Sequence, residues 1–137
     1  MRWMLALALI TGCATGPRVG RTPYRPIGGD GYGYSEMRLN DRTIQVSFTA
    51  VTPSDAQSGA LRRAAELAVQ MGADGFTIMS REDGADTIVR KRFVVGRVRR
   101  NIPATVLTVN LIQRSEFGSA PPGTMVYDAR MLLQQSN

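Results

Sequence analysis

The sequence predicts an α+β domain in which an antiparallel or mixed β-sheet carries one main helix, over about residues 53–71, on one face, with a short helix at the C-terminal end. Three observations predict it. Residues 34–39 and 44–49 alternate apolar and polar side chains around Asn40-Asp41, the pattern of a β-hairpin with one face buried. Ala60, Leu61, Ala64, Leu67, Ala68 and Met71 recur at three- and four-residue spacing, which places one apolar stripe along a helix. Apolar runs at Phe76–Met79 and Ala104–Ile112 follow and read as further strands. One helix between strands fits a layer of helix on sheet.

Each element has a local reason. In the hairpin, Met37 and Leu39 alternate with Glu36 and Arg38, and Ile44, Val46 and Phe48 alternate with Gln45, Ser47 and Thr49. The helix begins at Thr52-Pro53-Ser54-Asp55: Thr as N-cap, Pro at the first helical position, and an acid at N3 that can reach back in capping-box fashion. Gly72 fits the C′ position that stops it. The many alanines predict close approach to the sheet, with Arg62, Arg63, Glu66 and Gln70 facing outwards. The strand at Phe76–Met79 is expected to end in an acidic turn, Arg81-Glu82-Asp83-Gly84-Ala85-Asp86. Thr87–Arg100 is poorly patterned but rich in Val and Ile, which favours an extended segment at an edge. Val126-Tyr127-Asp128 leads into a terminal helix over Ala129–Gln135, where Met131, Leu132 and Leu133 are available for docking.

Ahead of this domain, the chain reads as an address and a tether. Arg2, the apolar stretch Trp3–Ile10 and the small residues after it form a signal peptide over residues 1–12. The apolar run is shorter than the ~20 residues that a bilayer core requires. Ile10-Thr11-Gly12-Cys13 resembles the lipobox of bacterial lipoproteins, in which the Cys thiol is lipidated, the signal is cut off and the new amino end is acylated with chains such as palmitate. The other reading is a soluble exported protein with an incidental thiol. In the lipoproteins that this motif resembles, Asp after the Cys favours the inner membrane. Here Ala14 follows, which implies the outer membrane, facing the periplasm. Residues 13–33, with Pro17, Pro23, Pro26 and the run from Gly28 to Gly33, read as lipidated Cys and flexible tether, leaving 34–137 as a single domain.

Cys13 is the only cysteine, so no intrachain disulfide can form, and the core must hold without staples. Histidine is absent, which removes Ser-His-Asp and Cys-His nucleophile sites and zinc sites of the usual Cys/His kind. A Ser-Lys dyad would need Lys91, which has no matching motif around it. Glu82-Asp83-Gly84-Ala85-Asp86 lacks the spacing of a calcium loop, and the glycines at 28–33 lack the strand and helix of a phosphate loop. Neither metal nor cofactor is expected. Two carboxylates could serve a glycosidase, and Glu36 and Glu66 are candidates without a supporting pattern.

The net charge of +6 is unevenly spread. Arg90, Lys91, Arg92, Arg97, Arg99 and Arg100 contribute all of it within eleven residues and without an acid among them. These six are the candidate anion-binding residues. They must stay solvated, pair with acids of the fold, or meet an external anion, and Arg offers bidentate hydrogen bonds to phosphate. For an exported, lipidated chain the fitting partners are phospholipid headgroups, lipid phosphates, cell-wall carboxylates or another protein, not nucleic acid.

Gly33-Tyr34-Ser35-Glu36, Gln45-Val46-Ser47-Phe48, Arg63-Ala64-Ala65-Glu66-Leu67 with Gly72-Ala73-Asp74-Gly75-Phe76, and Val126-Tyr127-Asp128-Ala129 together resemble an uncharacterised family of small alphaproteobacterial lipoproteins. Family members often carry Gly-Asn soon after the strand-ending Phe, where this chain has Thr49-Ala50-Val51. The resemblance implies a lipobox, a Gly/Pro/Tyr tether and a compact α+β domain, and it carries over no catalytic residue. The expected function is that of a lipid-anchored envelope protein, not an enzyme, structural or binding a partner or anion. The alternative is a carboxylate-dependent envelope hydrolase.

Overall fold

A computed structural model of the chain describes residues 22–85 and 102–136. They form an α+β fold: an open five-stranded antiparallel sheet, one main helix and a short C-terminal helix. The elements are β1 (Gly33–Arg38), β2 (Thr43–Thr49), α1 (Pro53–Gln70), β3 (Gly75–Ala85), β4 (Pro103–Ile112), a 3-10 turn (Arg114–Ser119), β5 (Val126–Asp128) and α2 (Ala129–Gln135). The strand order is β1-β2-β4-β3-β5, so the hairpin lies at one side of the sheet and β5 at the other.

The predicted hairpin forms with Asn40 closing its turn. The Asn40 Oδ1 accepts from the backbone N–H groups of Arg42 and Thr43, an Asx arrangement that closes the turn without a glycine. Register then fixes the faces. Tyr34 pairs with Phe48, Glu36 with Val46, Ile44 with Val109 and Val46 with Leu107, so the apolar residues of β2 and β4 share the face under α1. Ile44, Val46, Phe48, Phe76, Leu107, Val109 and Leu111 meet Ala56, Ala60, Ala64, Leu67 and Ala68 of the helix in one core. The opposite face carries Gln45, Ser47, Thr108, Asn110 and Thr77.

Close helix-to-sheet approach is built into Gly59. A Cβ at that position would lie 2.7 Å from the Phe48 ring, so any larger residue would push α1 off β2. The helix starts as its caps predict: Thr52 Oγ1 accepts from the Asp55 N–H at 3.1 Å. The Asp55 carboxylate, however, turns to Thr22, whose hydroxyl donates to it at 3.3 Å. Gly72, at φ +75°, follows the C-cap Met71 and supplies the left-handed residue that ends the helix.

The structure corrects four expectations. The acidic segment from Arg81 to Ala85 is not a turn but the end of β3, paired with Leu107–Pro103 of β4. A bulge at Met79 re-phases the strand, and Asp83 then accepts from the Thr105 hydroxyl at 2.8 Å and from Arg81 Nε at 2.9 Å. Residues 22–33 do not read as a free tether in the fold. Tyr24 stacks on Phe48 with ring centroids 5.7 Å apart, Pro26 bridges Tyr34, and the Ile27 N–H donates to the Tyr34 carbonyl at 2.8 Å. Tyr24 of that segment, together with Tyr34 and Glu36 of β1, covers part of the helix face expected to meet water, and the Arg63 and Glu66 side chains keep only 12% and 23% of their exposure. In α2, Leu132 and Leu133 pack on the core while Met131 faces out, and Asp128 caps the helix by accepting from the Met131 N–H.

Candidate functional site

Where the chain enters the fold, the structure assembles an aromatic and charged cluster that joins segments distant in sequence. Arg63 of α1 holds Glu36 of β1 through two bonds, Nη2–Oε1 at 2.7 Å and Nε–Oε2 at 3.2 Å, and holds Glu66 through Nη1 at 3.0 Å. Its guanidinium also lies 4.2 Å from the centroid of the Tyr34 ring. The preceding residue, Arg62, lies 4.0 Å over Tyr24 and pairs with Glu66 at 3.4 Å. The bonds from Glu36 and Glu66 lift the Arg63 pKa further above its already high ordinary value, against the opposing effect of burial.

The Gly-Tyr-Ser-Glu and Arg-Ala-Ala-Glu-Leu segments therefore meet through Tyr34, Glu36, Arg63 and Glu66, and the two candidate carboxylates share one guanidinium. Neither is presented free to a substrate. Gly33 has its own physical reason in this cluster: at φ +130° its Cβ would collide with the carbonyl of Arg25 and the backbone of Ile27, where the entering segment bridges the start of β1. The Tyr24 hydroxyl is buried and has no hydrogen bond of ordinary geometry. Burial first, and the facing Glu66 carboxylate second, raise its pKa above that of a free tyrosine.

Beside this cluster a cleft of about 530 Å³ opens between the entering segment, the start of α1 and the end of α2. Its lining includes Tyr24, Asp55, Ser58, Arg62 and Gln135. Composition hid these residues, because Tyr24 stands in a Gly/Pro-rich stretch, and Asp55 and Arg62 read as part of a helix cap and of a solvated face. The one available signal was an aromatic side chain in a segment otherwise poor in apolar groups. A smaller depression of about 150 Å³ lies over Thr77 and Asn110, walled by Glu116 and Pro121.

Ile10, Thr11, Gly12, Cys13, Arg90, Lys91, Arg92, Arg97, Arg99 and Arg100 lie outside the described residues, as does Asp86. The structure does place the points from which both segments depart. Thr22 accepts from the Val51 N–H at 2.7 Å, just past the end of β2, and the neighbouring Ala50 N–H donates to the Pro103 carbonyl at 2.9 Å. Ala85, which precedes the basic segment, pairs with the same Pro103. Thr22, Ala85 and Ile102 thus stand at one end of the sheet, and the Asn40-Asp41 turn and Gly72 stand at the other.

Among the described residues, no three His, Cys, Asp or Glu side chains are grouped to hold a metal ion, and no helix is long and apolar enough to cross a membrane. No family model matches the chain, and no curated protein and no solved structure matches it with significance.

Proposed function

We propose that the chain is a lipid-anchored envelope protein, fastened at Cys13, whose domain holds its basic segment against the anionic surface of the same membrane. The observation that carries this reading is the shared exit. The segment that leads back to Cys13 and the segment that bears Arg90–Arg100 join the fold at one end of the sheet, on either side of Val51 and Pro103. Because residues 22–33 are fastened to the domain, only residues 14–21 separate the anchor from it. Even fully extended, the nine steps from Cys13 to Thr22 reach about 30 Å.

The energetics favour such a pairing of signals. Each buried methylene of an acyl chain contributes roughly 0.8 kcal/mol, and one chain alone binds only marginally. A Lys or Arg near an anionic bilayer surface contributes about 1 kcal/mol. Two or three chains on Cys13 would fix the protein to the bilayer, and the six cations would then orient it. In this reading the sheet, α1 and the Arg63 cluster form a rigid mount.

Two variants test this function. Cys13→Ala should leave an uncleaved precursor or shift the protein out of the detergent-soluble envelope fraction, and unchanged partition would overturn the anchoring. Replacing Arg97, Arg99 and Arg100 together by Gln should weaken binding to vesicles that contain anionic lipid, with a shallower dependence on salt. Equal binding by parent and triple variant would remove the membrane-facing role of the segment.

A further inference from the structure

The cleft beside Tyr24 has a feature that membrane apposition does not use: two opposite charges set two helical turns apart along one wall. Asp55, Ser58 and Arg62 follow each other at positions i, i+3 and i+7 of α1, on one face of the helix. Seven residues of helix place Asp55 and Arg62 about 10 Å apart along the axis. Between them Gly59, lacking a side chain, lets the Phe48 ring form part of the lining. Gln135, on the opposite wall, adds an amide with both donor and acceptor capacity.

Among the described residues, both charges keep capacity for an outside partner. Asp55 accepts one long bond, 3.3 Å from the Thr22 hydroxyl. Arg62 reaches Glu66 through Nε alone at 3.4 Å and rests its guanidinium plane on Tyr24, so its two terminal nitrogens remain as a donor fork. Stacking on Tyr24 also fixes where that fork points, which lowers the ordering cost of a bound carboxylate.

We propose that this cleft binds a short zwitterionic peptide with both ends free, its ammonium group at Asp55 and its carboxylate on Arg62. An extended peptide of about three residues spans roughly 10 Å, which matches the separation of the two charges. Its middle would lie over Phe48 and Gly59, where small side chains fit, and its amides would face Ser58 and Gln135. The cleft volume lies within the range of small-ligand sites.

The test is a titration of the full chain in detergent micelles with trialanine, followed by calorimetry and by backbone amide shifts. Saturable binding is expected, with shifts confined to residues 55–62 and the end of α2. N-acetyl-trialanine amide, with both charges blocked, should bind at least about tenfold more weakly. Arg62→Gln and Asp55→Asn should each weaken trialanine binding at least about fivefold; Asp55→Glu should restore most of it and Arg62→Lys, which keeps the charge but loses the stacked fork, only part, with unfolding midpoints verifying that each variant folds. Equal binding of the blocked peptide would overturn the proposal. So would the absence of saturation in the parent protein up to about 50 mM peptide.

Discussion

Replacing Arg63 by Ala should cost more stability than any other exposed or half-exposed substitution on α1, because this one guanidinium serves three partners. It holds both oxygens of Glu36 and one of Glu66, and covers the Tyr34 ring, while keeping 12% of its own exposure. Breaking a buried pair by removing one partner typically costs about 3–5 kcal/mol, because the remaining charge is stranded. Here Glu36 and Glu66 retain 31% and 23% exposure and can recover part of their hydration, which brings the expected cost to about 2–3 kcal/mol. For a domain of this size that is a fall in Tm of roughly 10–20 °C. The assay is thermal and urea unfolding of the full chain in a double-mutant cycle with Glu36→Gln. In the parent, Glu36→Gln should cost about 1–2 kcal/mol, and beside Arg63→Ala it should cost almost nothing, since its partner is already gone. Additive effects, within about 0.5 kcal/mol, would show that the cluster does not bind β1 to α1 and would refute this reasoning.

Three further predictions address other parts of the fold. Tyr24→Phe removes a buried hydroxyl that lacks a hydrogen bond and should leave stability equal or raise it by up to about 1 kcal/mol, whereas a loss of that size in unfolding experiments would reveal a bond to Glu66 that matters. Gly75→Ala should detach β5, because a Cβ there would collide with the Tyr127 carbonyl and meet the Phe117 ring at 2.8 Å; amide exchange in Val126–Asp128 that stays as slow as in the parent would contradict this. Acidification should loosen the Arg114–Ser119 turn and α2 before the sheet. The Arg42 guanidinium and the Gln113 N–H hold the Glu116 carboxyl below its usual range, and the Met131 N–H, then Arg114, do the same for Asp128. Carboxyls with lowered folded pKa values add stability above the ordinary carboxylate range, and that stability is lost as the pH falls through the folded values, which lie below that range. Amide exchange followed from neutral to acid pH checks the order, and simultaneous opening of the sheet and α2 would contradict it.

Legibility in the sequence followed the distance over which each element is decided. The hairpin and α1 were readable because their determinants are local: Ile44, Val46 and Phe48 alternate within one strand, and Thr52, Pro53 and Gly72 mark the ends of one helix. The end of β3 was not readable. Glu82, Asp83 and Gly84 are poor strand formers, and they are extended only because β4 offers Val106, Thr105 and Ala104 as partners across the sheet. The fastening of residues 22–33 was hidden for the same reason. Its Gly and Pro content describes a coil, while the anchoring contacts are Tyr24 with Phe48 and Pro26 with Tyr34. The cleft was hidden in turn, since one of its walls is that segment. Arg63 and Glu66 look like a solvated pair three residues apart until Glu36 and Tyr34 of β1 meet Arg63 and Tyr24 of the entering chain faces Glu66.

The packing also gives reasons for several residues of the motifs that suggested a lipoprotein family. Gly33 yields to the entering segment bridged beside it, Gly75 to β5, and Tyr34, Glu36, Arg63 and Glu66 form one cluster. These are requirements of folding.

The most direct test of the proposed anchoring is the intact mass and N-terminal peptide of the protein purified from its native membrane. The account predicts a chain that starts at residue 13, with a diacylglyceryl thioether on the sulfur and an acyl group on the amine. A free thiol at Cys13, or a chain that still begins at Met1, would contradict it.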